Sequence, residues 1–352
     1  MSARPAAAQE AHTAGTAEGR PLRALVFGGA GFVGLNVAQH LLGAGDEVLL
    51  FDRNAIPEAA QAAFDALPGR WRALCGDVTD AEAVREAVSP GLDVLVLGAA
   101  VTAGTQREAD DPAGILQVNV LALPGILQAA RAAGVRRVIQ LSSAAVYGRA
   151  ALGAEPVAET APPQPVGLYG ISRLSAEMVA LRLGELYGLD VVNLRLSGVF
   201  GPWEHRTGVR DTLSPQFQIA EAAHAGRPAL LPRAGLRDWI YAPDVARAVA
   251  AVARAPALPS RCYNVSAPAA WTVLDWGRHH AAGRPGFACR VVQPGEAPTI
   301  DLHAETDRAP LSVARIAADL GWQAQWGCAD SAHALHAWHG THDTLWRKNP
   351  CD

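Results

Sequence analysis

Gly28-Gly29-Ala30-Gly31-Phe32-Val33-Gly34 decides how this chain is read. The stretch follows the apolar run Leu22 to Phe27, predicted as a buried strand, and opens the periodic segment Phe32 to Leu42, predicted as a helix. Gly28, Gly31 and Gly34 recur at every third position across this strand-to-helix turn, the context that a dinucleotide fingerprint requires. Glycine lets the backbone turn tightly and lets a pyrophosphate approach, while the helix N-terminus offers free N–H groups and a positive dipole end. A loop that merely needs glycine would look the same, so the next strand matters. Glu47 to Phe51 reads as that strand, and Asp52 closes it where a carboxylate can take the adenosine ribose hydroxyls. Its charge repels a 2′-phosphate, so NAD is expected rather than NADP, with Arg53 beside it able to accommodate part of such a phosphate.

Outward from the turn, short apolar runs alternate with helical stretches, which is the pattern of βαβ units and a parallel sheet. Trp71 to Leu74, Val94 to Leu97, Val138 to Leu141 and Val191 to Leu196 read as further strands, and Ala81 to Val88, Ile115 to Ala133 and Ser172 to Leu186 as helices. Six strands fit one Rossmann-type, doubly wound α/β domain over residues 21–198. Beyond Gly201 prolines and tryptophans break the alternation, so residues 199–235 and 263–352 are assigned to a smaller substrate-binding domain. Ile240 to Ala253 resembles one more strand and helix, so residues 236–262 are expected to return to the first domain.

Composition removes several classes of function. The 352 residues are half apolar, with a formal net charge of −4 and no basic or aromatic-basic run, which argues against nucleic acid. No uninterrupted apolar stretch suggests a membrane span, and residues 1–20 read as a disordered tail rather than a signal. The five cysteines are far apart with no C-x-x-C pair, which fits a reducing cytoplasm and neither zinc nor redox chemistry. His333, His336, His339 and His342 recur every third residue and drift around a helix, so they are read as a surface helix and not a metal site. Lys348 is the only lysine; arginine is this protein's ordinary cation.

From about Leu22 to Trp322 the chain resembles the extended short-chain dehydrogenase/reductase family, the NAD-dependent sugar epimerases and dehydratases. The matching pieces, besides the glycine turn, are Gly76-Asp77-Val78-Thr79-Asp80, Gly98-Ala99-Ala100, Asn119-Val120, Leu141-Ser142-Ser143-Ala144-Ala145-Val146-Tyr147-Gly148, Tyr169-Gly170-Ile171-Ser172-Arg173 and Arg237-Asp238-Trp239-Ile240-Tyr241. The resemblance implies that Phe32 and Val33 meet the cofactor with the glycines, Asp77 and Val78 border its adenine, Ala99 and Ala100 line its channel, and Asn119 lies beneath the active site. It also implies a homodimer formed through the two long helices.

Hydride transfer at a secondary alcohol needs a base for the hydroxyl proton and a donor that holds the same oxygen. By the resemblance these are Tyr169 and Ser143. Tyrosine ionises near pH 10, so it needs a nearby cation to favour phenolate. The family places a lysine four residues on, which also holds the nicotinamide ribose; here that position is Arg173. Arginine keeps the charge and can meet the ribose, but it cannot release a proton to a relay. Two functions therefore stand: an active oxidoreductase or epimerase, and a non-catalytic NAD-binding sensor or scaffold. Dehydratases carry an Asp-Glu pair where this chain has Ala144-Ala145, so dehydration is not expected.

The substrate is read as a sugar, sugar acid, polyol or nucleotide sugar, with Thr102, Ser143, Arg206, Arg210 and Arg237 as candidate contacts. Gly198 stands where nucleotide-sugar epimerases usually carry an asparagine for the diphosphate, which weakens that substrate class. Arg237 matches the arginine that reaches the diphosphate, yet a pair with Asp238 or Asp244 is the structural alternative. Arg206 and Arg210 lie in a polar loop after the last core strand, where Glu204 and Asp211 could equally be their partners.

Overall fold

Runs of Val, Leu and Ile that are apolar at every position, as in Val94–Leu97, are suited to a strand covered on both faces. A computed structural model, described here for residues 20–282 and 284–342, arranges them accordingly. β1 (Arg23–Phe27), β2 (Glu47–Asp52), β3 (Arg70–Cys75), β4 (Val94–Leu97), β5 (Arg137–Ser143) and β6 (Asp190–Leu196) form a parallel sheet in the order β3-β2-β1-β4-β5-β6. Cys262–Val265 pairs with β6 in parallel as the seventh strand, almost wholly beyond residues 236–262, whereas the expected strand at Ile240 is a two-residue pair, Ile240–Tyr241 with Val199–Phe200, outside this sheet.

Successive strand residues point to opposite faces and feed two apolar layers. Val26, Leu50, Val96 and Ile139 meet the helices Phe32–Gly43 and Ala242–Arg254, while Leu25, Phe27, Leu95 and Val138 meet Leu123–Ala132 and Leu168–Tyr187. Each fully buried Leu, Ile, Val or Phe contributes about 1.5–3 kcal/mol, so this double layer holds the sheet whose strand ends carry the site. Ile316 and Trp322 join the first of these layers, so a segment beyond residue 263 also packs on the sheet.

A smaller lobe is built from the helices Pro215–His224, Val273–Ala281 and Cys328–Thr341 and three two-stranded pairs, around Phe200, Ile219, Leu231, Trp276 and Leu335. The histidine-bearing helix is only partly a surface helix, because Leu335 and His339 are buried in that core. The expected helix Ile115 to Ala133 is interrupted by a π turn, Gln117–Leu121, which directs Asn119 inward. Taken as one run, Pro112–Ala132 is long and apolar enough by length and composition to cross a membrane, although Gln117, Asn119, Gln128 and Arg131 interrupt it. Here its apolar side packs on the sheet through Leu123, Ile126 and Leu127. Residues 1–19 of the expected tail, Lys348 and Cys351 lie outside the described residues.

Candidate active site

The glycine turn is explained by contacts that leave no room for side chains. Gly28 has φ +78°, and a Cβ there would sit 2.7 Å from the Ala99 nitrogen; at Gly34 it would sit 2.2 Å from the Gly28 carbonyl oxygen. The first glycine therefore seats β1 against β4, and the third brings the helix Phe32–Gly43 down on the turn. Asp52 accepts hydrogen bonds from the N–H groups of Ala30 (3.1 Å) and Asn54 (2.9 Å), which fixes its carboxylate beside the turn. A cleft of about 680 Å³ runs across the carboxyl ends of the strands, in the range of small-molecule sites. Gly28, Gly31, Phe32, Val33, Gly34, Asp52, Arg53, Asp77, Val78, Ala99 and Ala100 all line it, as does Thr102. The Asp77 carboxylate also closes a local turn onto the Thr79 N–H and hydroxyl, at 2.8 and 2.7 Å.

Ser143 and Tyr169 line the middle of the cleft. The two adjacent serines divide their roles. Ser142 turns inward and donates to Glu177 at 2.5 Å, while Ser143 Oγ accepts from the Ala145 N–H at 3.1 Å at the cleft wall. The helix Leu168–Tyr187 begins four residues before the expected Ser172, with Tyr169 in its first turn. Asn119 does not line the cleft. Its side chain accepts from Val101 N–H at 2.8 Å and donates to Val101 O and Ser172 Oγ, both at 3.0 Å, so it ties the cleft wall to the tyrosine helix.

Arg173 is the largest departure from the arrangement expected. Its side chain lies beneath the cleft floor, beside a void of about 10 Å³ shared with Gln140, and donates to the Leu141 carbonyl. Its Nε has no partner in that buried setting. Burial lowers its pKa, opposed by the charges of Tyr169 and Glu177. Its charge thus reaches the tyrosine from below rather than from the cleft wall.

The far end of the cleft is made by side chains from the smaller lobe. Arg237 stacks on Trp239, 4.9 Å from the ring, and burial beside Arg308 pushes its pKa down to about 10. Neither suspected acid pairs with it. Asp238 is buried and takes Arg308 (2.8 Å), Ser197, Ser266 and the Leu311 N–H, while Asp244 takes Arg247 at 2.7 Å. Gly198 lies against Trp239, where a Cβ would be 2.4 Å from the ring, so the tryptophan occupies the space an asparagine would need. Arg210 lines the cleft, paired with buried Glu204 at 2.9 Å. Arg206 does not: it turns to Glu221 at 2.9 Å, on the helix Pro215–His224, which corrects its placement among the substrate contacts.

Arg308, His303, His205 and Glu108 also line the cleft, and sequence reasoning missed them. None belongs to a motif, and each comes from an irregular segment or a one-turn helix. His303 has φ +68°, and burial with Arg210 nearby pushes its pKa down to about 4, so it is neutral at physiological pH. His205 alone left a trace, inside the polar loop after the last core strand that also carries Arg206 and Arg210.

The comparisons agree with this geometry. The model of the NAD-dependent epimerase/dehydratase family matches residues 24–266. The UDP-glucose 4-epimerase of Streptomyces lividans is 31% identical over 246 residues, 66% of this chain and 72% of that protein. Among solved structures, MoeE5 in complex with UDP-glucuronic acid and NAD superimposes with a TM-score of 0.71 at 26% identity, covering 91% of this chain and 99% of that one. DesIV, the dTDP-glucose 4,6-dehydratase of Streptomyces venezuelae solved with NAD, gives 0.72 at 27% identity over 92% and 99%. With the glycine turn, the strand order and the Ser143–Tyr169 cleft as its basis, the chain belongs to the NAD-dependent epimerase/dehydratase family.

Proposed function

We propose that this protein is an NAD-dependent enzyme acting at one secondary alcohol of a nucleotide sugar, by epimerisation or by net oxidation or reduction. The observation that carries the reading is one continuous cleft lined by the glycine turn and Asp52, by Ser143 and Tyr169, and by Arg237 and Arg308. The residues fit the dinucleotide, since Gly28, Gly31 and Gly34 line the cleft together with Asp52, whose carboxylate is held beside the turn by the Ala30 and Asn54 N–H groups. When bound, NAD supplies the hydride acceptor and donor. Tyr169 Oη takes the proton of the substrate hydroxyl, and Ser143 Oγ holds the same oxygen as it becomes a carbonyl. Arg173 interacts with Tyr169 through its charge from beneath the floor, and Arg237, with Arg308 beside it on Asp238, takes the diphosphate. Asp52 favours NAD over NADP.

The likeness to a UDP-glucose 4-epimerase and to MoeE5 supports a nucleotide sugar despite Gly198. Ala144 and Ala145 supply no acid to eliminate water, which supports epimerisation or oxidation over dehydration. The test incubates the protein with NAD and UDP-glucose, UDP-glucuronate or dTDP-glucose, following reduced cofactor by absorbance and sugars by chromatography. Turnover should fall about 10²–10⁴-fold in Tyr169→Phe, and an unchanged rate would remove the assignment.

The placement of Arg173 below the cleft floor favours one second reading, a non-catalytic NAD sensor. NAD binding without turnover, unaltered by Arg173→Lys, would select it. We also place a dimer face on the helix Leu168–Tyr187, where Ile171, Met178 and Leu186 are exposed, together with nearby Leu121. Met178→Glu should then yield monomer in sedimentation.

A further inference from the structure

We propose that Glu108 selects an uncharged sugar over a carboxylated one; this rests on the nucleotide-sugar reading of the cleft. Glu108 sits on the short helix Thr105–Asp110 and lines the cleft beside Tyr169. Its Oε1 accepts from the Tyr169 N–H at 3.3 Å and lies 2.9 Å from where a Cβ on Gly167 would stand. The Gly167 contact explains why the carboxylate can approach the start of the tyrosine helix, whose N-cap residue offers no side chain of its own.

The position is fastened from behind. Arg107 pairs with Asp211 at 2.9 Å, the Gly104 N–H donates to the same carboxylate at 2.8 Å, and Thr102 bridges to Arg210 across the loop. These bonds use the neighbouring cations elsewhere: Arg107 on Asp211 and Arg210 on Glu204. Among the described residues Glu108 forms no ion pair, and its Oε2 has no protein hydrogen bond. The other carboxylates lining the cleft, Asp52 and Asp77, lie at the ends of β2 and β3, on the dinucleotide side. Glu108 is therefore the one acidic group beside the tyrosine and serine among the described lining residues.

An unpaired carboxylate oxygen facing a cleft is a strong acceptor for hydroxyl donors. A second carboxylate brought beside it has neither a proton to donate nor a local cation to neutralise it. Hexose hydroxyls meet the first condition, and the carboxylate of a uronic acid meets the second. Arg237 is assigned to the diphosphate that both substrates share and Arg308 is paired with Asp238, so neither separates them.

The experiment measures calorimetric binding of UDP-glucose and UDP-glucuronate to the full chain with NAD, in the wild type and in Glu108→Gln and Glu108→Asp. The wild type should prefer UDP-glucose about tenfold or more. Glu108→Gln keeps an acceptor for the Tyr169 N–H and should narrow that preference about tenfold, chiefly by gaining affinity for UDP-glucuronate. Glu108→Asp keeps the charge and should keep the preference. A wild type that prefers UDP-glucuronate overturns the proposal without any variant. So does a Glu108→Gln protein with unchanged melting temperature, unchanged NAD affinity and an unchanged ratio, the result expected of a residue that only caps the helix. Binding of NAD but of neither nucleotide sugar would instead overturn the nucleotide-sugar reading on which the proposal rests.

Discussion

The two halves of the cleft are built by different means. The dinucleotide half is mostly backbone, in which Gly28 and Gly34 remove side chains and Asp52 is locked by two local N–H groups. The substrate half is made of side chains from distant segments, Glu108, Tyr169, Arg210, Arg237, His303 and Arg308, and burial lowers the pKa values of Arg237 and His303. A backbone site tolerates almost no change at its few positions, whereas a site of side chains can be altered one contact at a time.

The largest effect should come from breaking the first half. Gly34→Ala places a methyl against the Gly28 carbonyl, and should cost about 1–3 kcal/mol of stability and more than about 100-fold in NAD affinity, read by thermal melting and fluorescence titration. Arg237→Met should weaken UDP-glucose binding about 10–100-fold, the loss of one or two charge-assisted hydrogen bonds, with NAD affinity unchanged. An equal loss of NAD binding would show that the two halves are not separable. Asp52→Asn leaves one N–H without its acceptor and removes the charge; NAD affinity should fall about tenfold while the NADP-to-NAD affinity ratio rises.

The smallest effect concerns acid. Burial pushes His280 down to about 3 and His303 to about 4 from an ordinary 6.5, and both belong to the smaller lobe. The unfolded chain then binds more protons than the folded one between those values, so stability is full above pH 6.5 and is lost as pH falls towards 4. Hydrogen exchange at pH 5 and pH 7 should show the smaller lobe loosening before the sheet, and uniform loosening would contradict it.

The parallel sheet and its dinucleotide turn were legible because their causes are local. A strand buried on both faces needs an apolar run, and the turn needs glycines at set spacing. Ser143 and Tyr169 were legible through motifs at a strand end and a helix start. What escaped was set by contacts distant in sequence. The π turn at Asn119 is stabilised by bonds to Val101 and Ser172. Arg206 and Arg210, four positions apart, face different partners because the loop between them is clasped to residues 102–107.

By itself the sequence determined the strand order's raw material, the dinucleotide turn and the reacting pair, because period, glycine spacing and motif are properties of neighbouring residues. Only the tertiary structure decided which charges remain available to a ligand. Asp238 could have neutralised Arg237 but takes Arg308, Arg107 is drawn to Asp211 and away from Glu108, and Arg173 turns below the cleft floor. Each outcome is a competition among partners far apart in the chain, and proximity in the folded molecule settles it.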